Sequence, residues 1–184
     1  MLNLFQKEVC RLSLIGADKE AMKLVEHYSM KPLTRYLAIN KVALQSGMLS
    51  GVDGFTIRNV KDKIILMFIS KETHLFSLPV MKTKCIESST FGIKERKIGI
   101  CSMVDRVLQT QLCLVLYPYY EAKYPEYLYS SRKGRNAFQA LGFFKSSLEK
   151  IDLASLSLVL INFENLFDNI RHEDICFYFE VSSK

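Results

Sequence analysis

The stretch LVLINFENLFDNIRHED over residues 158–174 sets the tightest limit on what this chain can fold into. It opens with Leu158-Val159-Leu160-Ile161, an apolar, branched run too short for a helix, which reads as a buried strand. Polar groups follow at Asn162, Glu164, Asn165 and Asp168. Asn169-Ile170-Arg171-His172-Glu173-Asp174 then reads as a turn and a helix start with acids in its first turn. A buried strand that delivers carboxylates at its C-terminal end is a common support for a metal or phosphate site. The plainer alternative is a core strand leaving through a polar loop.

Length and composition bound the rest. The chain has 184 residues, 49% hydrophobic and 24% charged, as in ordinary globular proteins. One domain, or two tightly joined subdomains, follows from that length. Its core can bury roughly 70% of the unfolded surface. The apolar runs are too short to span a bilayer, so no membrane partner is expected. Lys7, Glu8 and Arg11 make the N-terminus a poor secretory signal, and Glu8, Asp18 and Glu20 argue against a transit peptide. The five cysteines are scattered without a C-x-x-C pair, which points to reduced thiols and no structural metal.

The net charge of +6 is unevenly spread. Residues 1–54 carry +2, residues 55–150 carry +8 and residues 151–184 carry −4. A basic middle suits a polyanion, because phosphate neutralisation supplies most non-specific nucleic-acid affinity. It also suits simple solubility.

In chain order, Asp18 to Tyr28 reads as an amphipathic helix with Ala21, Leu24, Val25 and Tyr28 inward. A second helix is expected from Pro32 to Ser46, ended by Gly47. In it Leu33, Tyr36, Leu37, Val42 and Leu44 pack inward while Lys31, Arg35 and Lys41 face out. Gly51-Val52-Asp53-Gly54 makes a turn in which positive φ is allowed. Lys61 to Ser70 is the next helix. A strand is expected over Leu78–Ile86, a loop over 87–95 and a returning strand over Arg96–Ile100. A long helix covers Met103–Tyr124, with Pro118 breaking or kinking it. Its inward stripe is Val104, Val107, Leu108, Gln111, Leu112 and Val115. Tyr117, Tyr119, Tyr120, Tyr124, Tyr127 and Tyr129 form an aromatic patch that suits either base stacking or an interior interface. Arg132-Lys133-Gly134-Arg135 is a basic turn entering a helix, so backbone N–H groups, the positive dipole end and two arginines would face one anion.

Taken together these segments resemble the group II intron reverse transcriptase–maturases, over roughly residues 35–180. Phe167-Asp168-Asn169-Ile170, with His172 and Glu173, resembles the first palm strand of that family. The Gly51–Gly54 turn is similar to its Gly-Val-Asp-Gly. Arg96, Gly99 and Ile100 match its Arg-Pro-Leu-Gly-Ile, with Lys97 and Ile98 in place of Pro and Leu. Asp105-Arg106-Val107-Leu108-Gln109 matches its Asp-Arg-x-x-Gln helix start. Arg132, Gly134, Arg135 and Ala137 match its Arg-Pro-Gly-Arg-Ser-Ala segment.

The resemblance implies an α/β (mixed α+β) fold: partial fingers and palm, helix-rich, with a short antiparallel hairpin. It divides the chain into an N-terminal helical segment at 1–50, a basic fingers-like region at 51–150 and the truncated start of a palm at 151–184. It nominates Lys82, Lys84, Lys94, Arg96, Lys97, Arg132, Lys133, Gly134 and Arg135 as RNA contacts. For the hairpin bases, lysines guarding a solvent-facing edge are the alternative. The family would use Mg2+, but its first metal-binding Asp falls on Asn162, and no Asp-Asp pair occurs in the chain. An amide is a poor ligand for a hard cation. No catalytic residue, metal or cofactor is therefore expected. The expected partner is structured RNA, either a group II intron or ribosomal RNA, with a second polypeptide completing the palm as a further expectation. A protein-docking module or a decaying fragment is the alternative. Lys outnumbers Arg 17 to 8, and Phe and Ile are plentiful, which leans toward an AT-rich genome such as a plastid's. The expected location is an organelle, a plastid before a mitochondrion, with a bacterial cytoplasm as the alternative.

Overall fold

The computed structural model describes residues 2–72, 82–88, 94–150, 157–163, 166–171 and 173–175, with the backbone alone described over 82–98 and at 2, 72, 167 and 168. The elements in order are α1 (Leu2–Leu14), α2 (Asp18–Ser29), α3 (Pro32–Ser46), α4 (Val60–Glu72), β1 (Lys82–Ser88), β2 (Lys94–Ile100), α5 (Met103–Lys123), α6 (Ala137–Leu148) and α7 (Leu166–Asn169). The chain divides into two compact units, Met1–Leu128 and Tyr129–Lys184.

In the first unit, α5 is the spine. Met103, Val107, Gln111, Val115 and Tyr119 recur every four residues and are all buried. This spacing stacks them along one face of a helix. The face serves two cores. Met103 and Val107 pack with Ala38, Ile39 and Val42 of α3, Ile57 of the preceding loop and Leu66 of α4. Val115 and Tyr119 pack with Phe5 and Val9 of α1 and Ala21 and Val25 of α2. Val104 and Leu108, expected inward, are half-buried, and Leu112 is exposed. The buried face is rotated toward Met103 and Tyr119 because helices pack against α5 from both ends.

Pro118 does not break the helix, which runs on to Lys123. Proline cannot donate to the carbonyl four residues earlier, so the Leu114 carbonyl loses its helical partner. Gln6 of α1 replaces it: its Nε2 donates to the Leu114 carbonyl at 3.2 Å. The Ser13 hydroxyl donates to the Tyr119 carbonyl at 2.9 Å, a second polar tie between α1 and this part of α5. Gln111, buried between the two cores, donates through Nε2 to the Ser29 carbonyl at the end of α2.

The other helix ends are set locally. The residue before Pro32 is extended, as a pre-proline residue must be, and proline occupies the first turn of α3. Asp62 accepts from the N–H groups of Arg58 and Asn59 at 2.7 and 3.1 Å, while Asn59 accepts from the Asp62 N–H at 3.1 Å. This reciprocal capping starts α4. On α3, Thr34, Ala38, Ile39 and Val42 face the core, whereas Leu33, Tyr36 and Leu44 are exposed, against expectation. Arg35, expected outside, is half-buried.

The described residues form a helix-rich fold, as expected. Their β structure is a two-stranded antiparallel ribbon, in which Lys82 pairs with Ile100 and Ser88 with Lys94. Residues 78–81 and 89–93 of the expected strand and loop lie outside the described residues. Leu158–Ile161 corrects the expectation of a buried strand. This run has no regular secondary structure, and its four side chains are 70–93% exposed. A strand needs a hydrogen-bonding neighbour, and among the described residues none pairs with it. Glu164, Asn165 and His172 lie outside the described residues, as do 151–156 and 176–184.

Candidate nucleic-acid interface

The second unit opens with the basic turn. Ser131 has φ 56° and Gly134 φ 71°, two left-handed positions three residues apart. Ser131 holds a conformation that costs a non-glycine residue free energy, whereas Gly134 adopts it freely. The Arg135 N–H closes the turn on the Arg132 carbonyl at 3.2 Å. Asn136 then caps α6 from an extended conformation. Its Oδ1 accepts from the Gln139 N–H at 3.0 Å, and the Gln139 Oε1 accepts from the Asn136 N–H at 3.0 Å. These bonds form a complete capping box.

The box alters one expectation. Two amide groups that the sequence reading left for an anion are already satisfied within the chain. Attraction at this site therefore comes chiefly from the cations and the dipole of α6. Arg135 is held in place: its guanidinium lies 5.4 Å from the centroid of the Tyr129 ring. Tyr129 in turn packs 6.3 Å from Phe143 of α6. A guanidinium on an aromatic face keeps its in-plane N–H groups available for a phosphate. Arg132 and Arg135 are half-buried, and Lys133 is exposed. The structure thus brings Arg132, Lys133, Gly134 and Arg135 together in one turn.

The ribbon bases form a separate group in the first unit. Alternation along paired strands places Lys82, Lys84, Arg96 and Lys94 on one face and Lys97 on the other, with Glu87 and Glu95. Their side chains lie outside the described residues. Four of the five nominated ribbon bases therefore share a face by register.

Several family-like residues have structural work instead. The Asp53 carboxylate accepts from the Met103 N–H at 2.8 Å, capping α5 across fifty positions of sequence. Gly51 is required beside it, since a Cβ there would sit 2.4 Å from the Cys101 carbonyl oxygen. Ser102 caps α5 by accepting from the Asp105 N–H at 3.1 Å and donates to the Asp105 carboxylate at 2.6 Å. Arg106 donates to the Leu49 carbonyl at 2.7 Å, tying α5 to the segment after α3. The turn and the Asp105-Arg106 pair thus tie the end of α3 and the segment after it to the start of α5.

The tyrosines also separate. Tyr119 is core, while Tyr127 is 75% exposed. Tyr117 donates to Glu121 at 2.6 Å. Lys123 bonds both the Tyr119 hydroxyl, at 2.7 Å, and Asp18, at 2.9 Å. Sequence reasoning missed Arg35, whose buried Nε has no hydrogen-bond partner and whose pKa burial pushes down. An amphipathic pattern assigns cations to the outer face and gives no sign of such a position.

Asn162 is exposed in the irregular 157–163 segment. Among the described residues no group of three His, Cys, Asp or Glu side chains could hold a metal ion. Among the described residues no helix is long and apolar enough to cross a membrane. No protein family model matches this chain, and no curated protein matches it at a significant level.

Proposed function

We propose that this chain is an RNA-binding protein, a catalytically inactive relative of the group II intron reverse transcriptase–maturases with a partial fingers–palm fold. It acts on structured RNA, as an aid to intron splicing or in association with ribosomal RNA, in an organelle and by preference a plastid. The observation that carries this reading is the Arg132–Arg135 turn. Three cations lie in the four residues that precede the Asn136 cap of α6, and Arg135 packs on the Tyr129 ring. The like-faced Lys82, Lys84, Lys94 and Arg96 positions of the ribbon support it.

No polymerase role is assigned. Two-metal nucleotidyl transfer needs carboxylates that clamp both ions, and the position of the first is the amide of Asn162. Templated incorporation of deoxynucleotides by the purified chain would overturn that part of the reading.

The direct test is binding of the full chain to labelled group II intron domains and to ribosomal RNA fragments across a salt series. Affinity falling linearly with salt on a logarithmic plot is expected, and Arg132→Ala with Arg135→Ala should flatten the slope by about one phosphate contact per arginine. Binding that neither salt nor this double substitution changes would refute the assignment of the turn. Ultraviolet crosslinking in the native cells then separates intron from ribosomal partners.

A further inference from the structure

The second unit leaves its apolar residues uncovered. α6 buries no residue, and Phe138, Leu141, Phe143 and Phe144 are 84, 63, 57 and 42% exposed. Leu158, Val159, Leu160, Ile161 and Phe163 are 71, 76, 93, 70 and 68% exposed. Taking ~150–200 Å² for each fully exposed side chain, these fractions leave on the order of 1,000 Å² of apolar surface in water. A monomeric protein seldom exposes contiguous apolar patches beyond a few hundred Å². A specific interface buries about 800 Å² per partner.

The charges indicate the occupant. Residues 129–150 carry five bases and one acid, and residues 151–184 carry two bases and six acids. The unit is thus neutral overall and strongly dipolar, +4 in its first part and −4 in its second. A neutral dipolar unit does not repel its own copy. Under a two-fold axis the basic part of one copy meets the acidic part of the other. Opposite patches facing across an interface steer association and fix its register.

We infer that residues 129–184 are a self-association module through which two copies of this chain form an isologous dimer, with α6 and the 157–163 segment at the interface. The 157–163 backbone, which lacks a pairing partner among the described residues, meets the same segment of the second copy. A run of unpaired backbone N–H and C=O groups is a ready template for such pairing. Two-fold pairing closes at two copies, and it is the commonest arrangement of homo-oligomers.

The test uses the full chain, treated with nuclease, at ~0.15 M salt, where surface charges remain partly unscreened. Light scattering after size exclusion and sedimentation equilibrium should give a dimer of roughly twice the 21.2 kDa chain mass. Leu160→Asp and Phe138→Asp replace side chains that are already solvent-exposed, so each variant should keep the wild-type far-ultraviolet circular dichroism. Each should raise the dimer dissociation constant at least about tenfold, as loss of a central apolar anchor does. A wild-type monomer at tens of micromolar would overturn the inference and leave the surface to a different polypeptide or a lipid surface. So would an open-ended aggregate, or a dimer indifferent to both substitutions. RNA affinity measured on the same samples reports separately on the RNA-binding reading, so either can fail alone.

Discussion

The bond from Gln6 to the Leu114 carbonyl can be tested by a double-mutant cycle with Pro118. Proline at 118 leaves the Leu114 carbonyl without its helical donor, and Gln6 supplies one from α1. Gln6→Ala should then leave a half-buried acceptor unsatisfied. A lost acceptor costs about 1–3 kcal/mol, and partial access to water places this one near ~1 kcal/mol. That corresponds to a fall in Tm of about 2–4 °C for a chain of this size. Pro118→Ala restores an N–H aimed at Leu114. It also relieves the proline penalty in a helix interior, about 3 kcal/mol at an exposed position. The buried ring contributes packing whose loss offsets this by ~0.8 kcal/mol per methylene. The sign of Pro118→Ala alone is therefore not the test; the coupling is. In the Pro118→Ala background, Gln6→Ala should be nearly neutral, giving a coupling of about 1 kcal/mol, above the ~0.3–0.5 kcal/mol scatter of independent sites. Urea unfolding of the four proteins, followed by circular dichroism, measures it. If Gln6→Ala costs the same in both backgrounds, the carbonyl does not depend on Gln6 and the argument fails.

Gly51→Ala should destabilise by about 1–3 kcal/mol, because the new methyl meets the Cys101 backbone oxygen rather than a side chain that can move; an unchanged Tm would refute this close approach. Val107→Ala and Val115→Ala should each cost roughly 2 kcal/mol, since both side chains are fully buried in separate cores, and their effects should add if those cores are independent. Hydrogen bonding from Lys123, opposed by a smaller desolvation effect, holds the Asp18 carboxyl below its ordinary range. A depressed carboxylate stabilises above its unfolded pKa and loses that contribution as pH falls through the folded value. The acid side of a Tm–pH profile should therefore flatten in Asp18→Asn; an identical profile would show that the pair is electrostatically idle. Tyr129→Ala should weaken RNA binding by freeing the Arg135 side chain, and a leucine there should not restore it; full rescue by leucine would mean that packing, not the aromatic face, positions the arginine.

Local rules were enough for α2 and α3. Acids in the first turn, a proline at the first helical position and apolar residues at helical spacing are all short-range signals, and the ends of α3 fall at Pro32 and Ser46. The basic turn was legible for the same reason, since Gly134 and the Asn136 cap act within a few residues. The capping box was not, because its effect is to occupy amides that sequence alone left available for an anion. Tertiary structure decided the rest. Pro118 stays inside α5 because a side chain 108 residues earlier in the chain meets the freed carbonyl, and no local pattern reports that. Asp53 reads as a turn residue but caps a helix fifty positions away. The face of α5 is set by helices packing on it from both ends, which favoured Met103 and Tyr119 over Leu112. Leu158–Ile161 shows the limit most clearly. Composition makes the run apolar and branched, but a strand exists only where a second strand offers its backbone groups, and that condition lies outside any stretch of sequence.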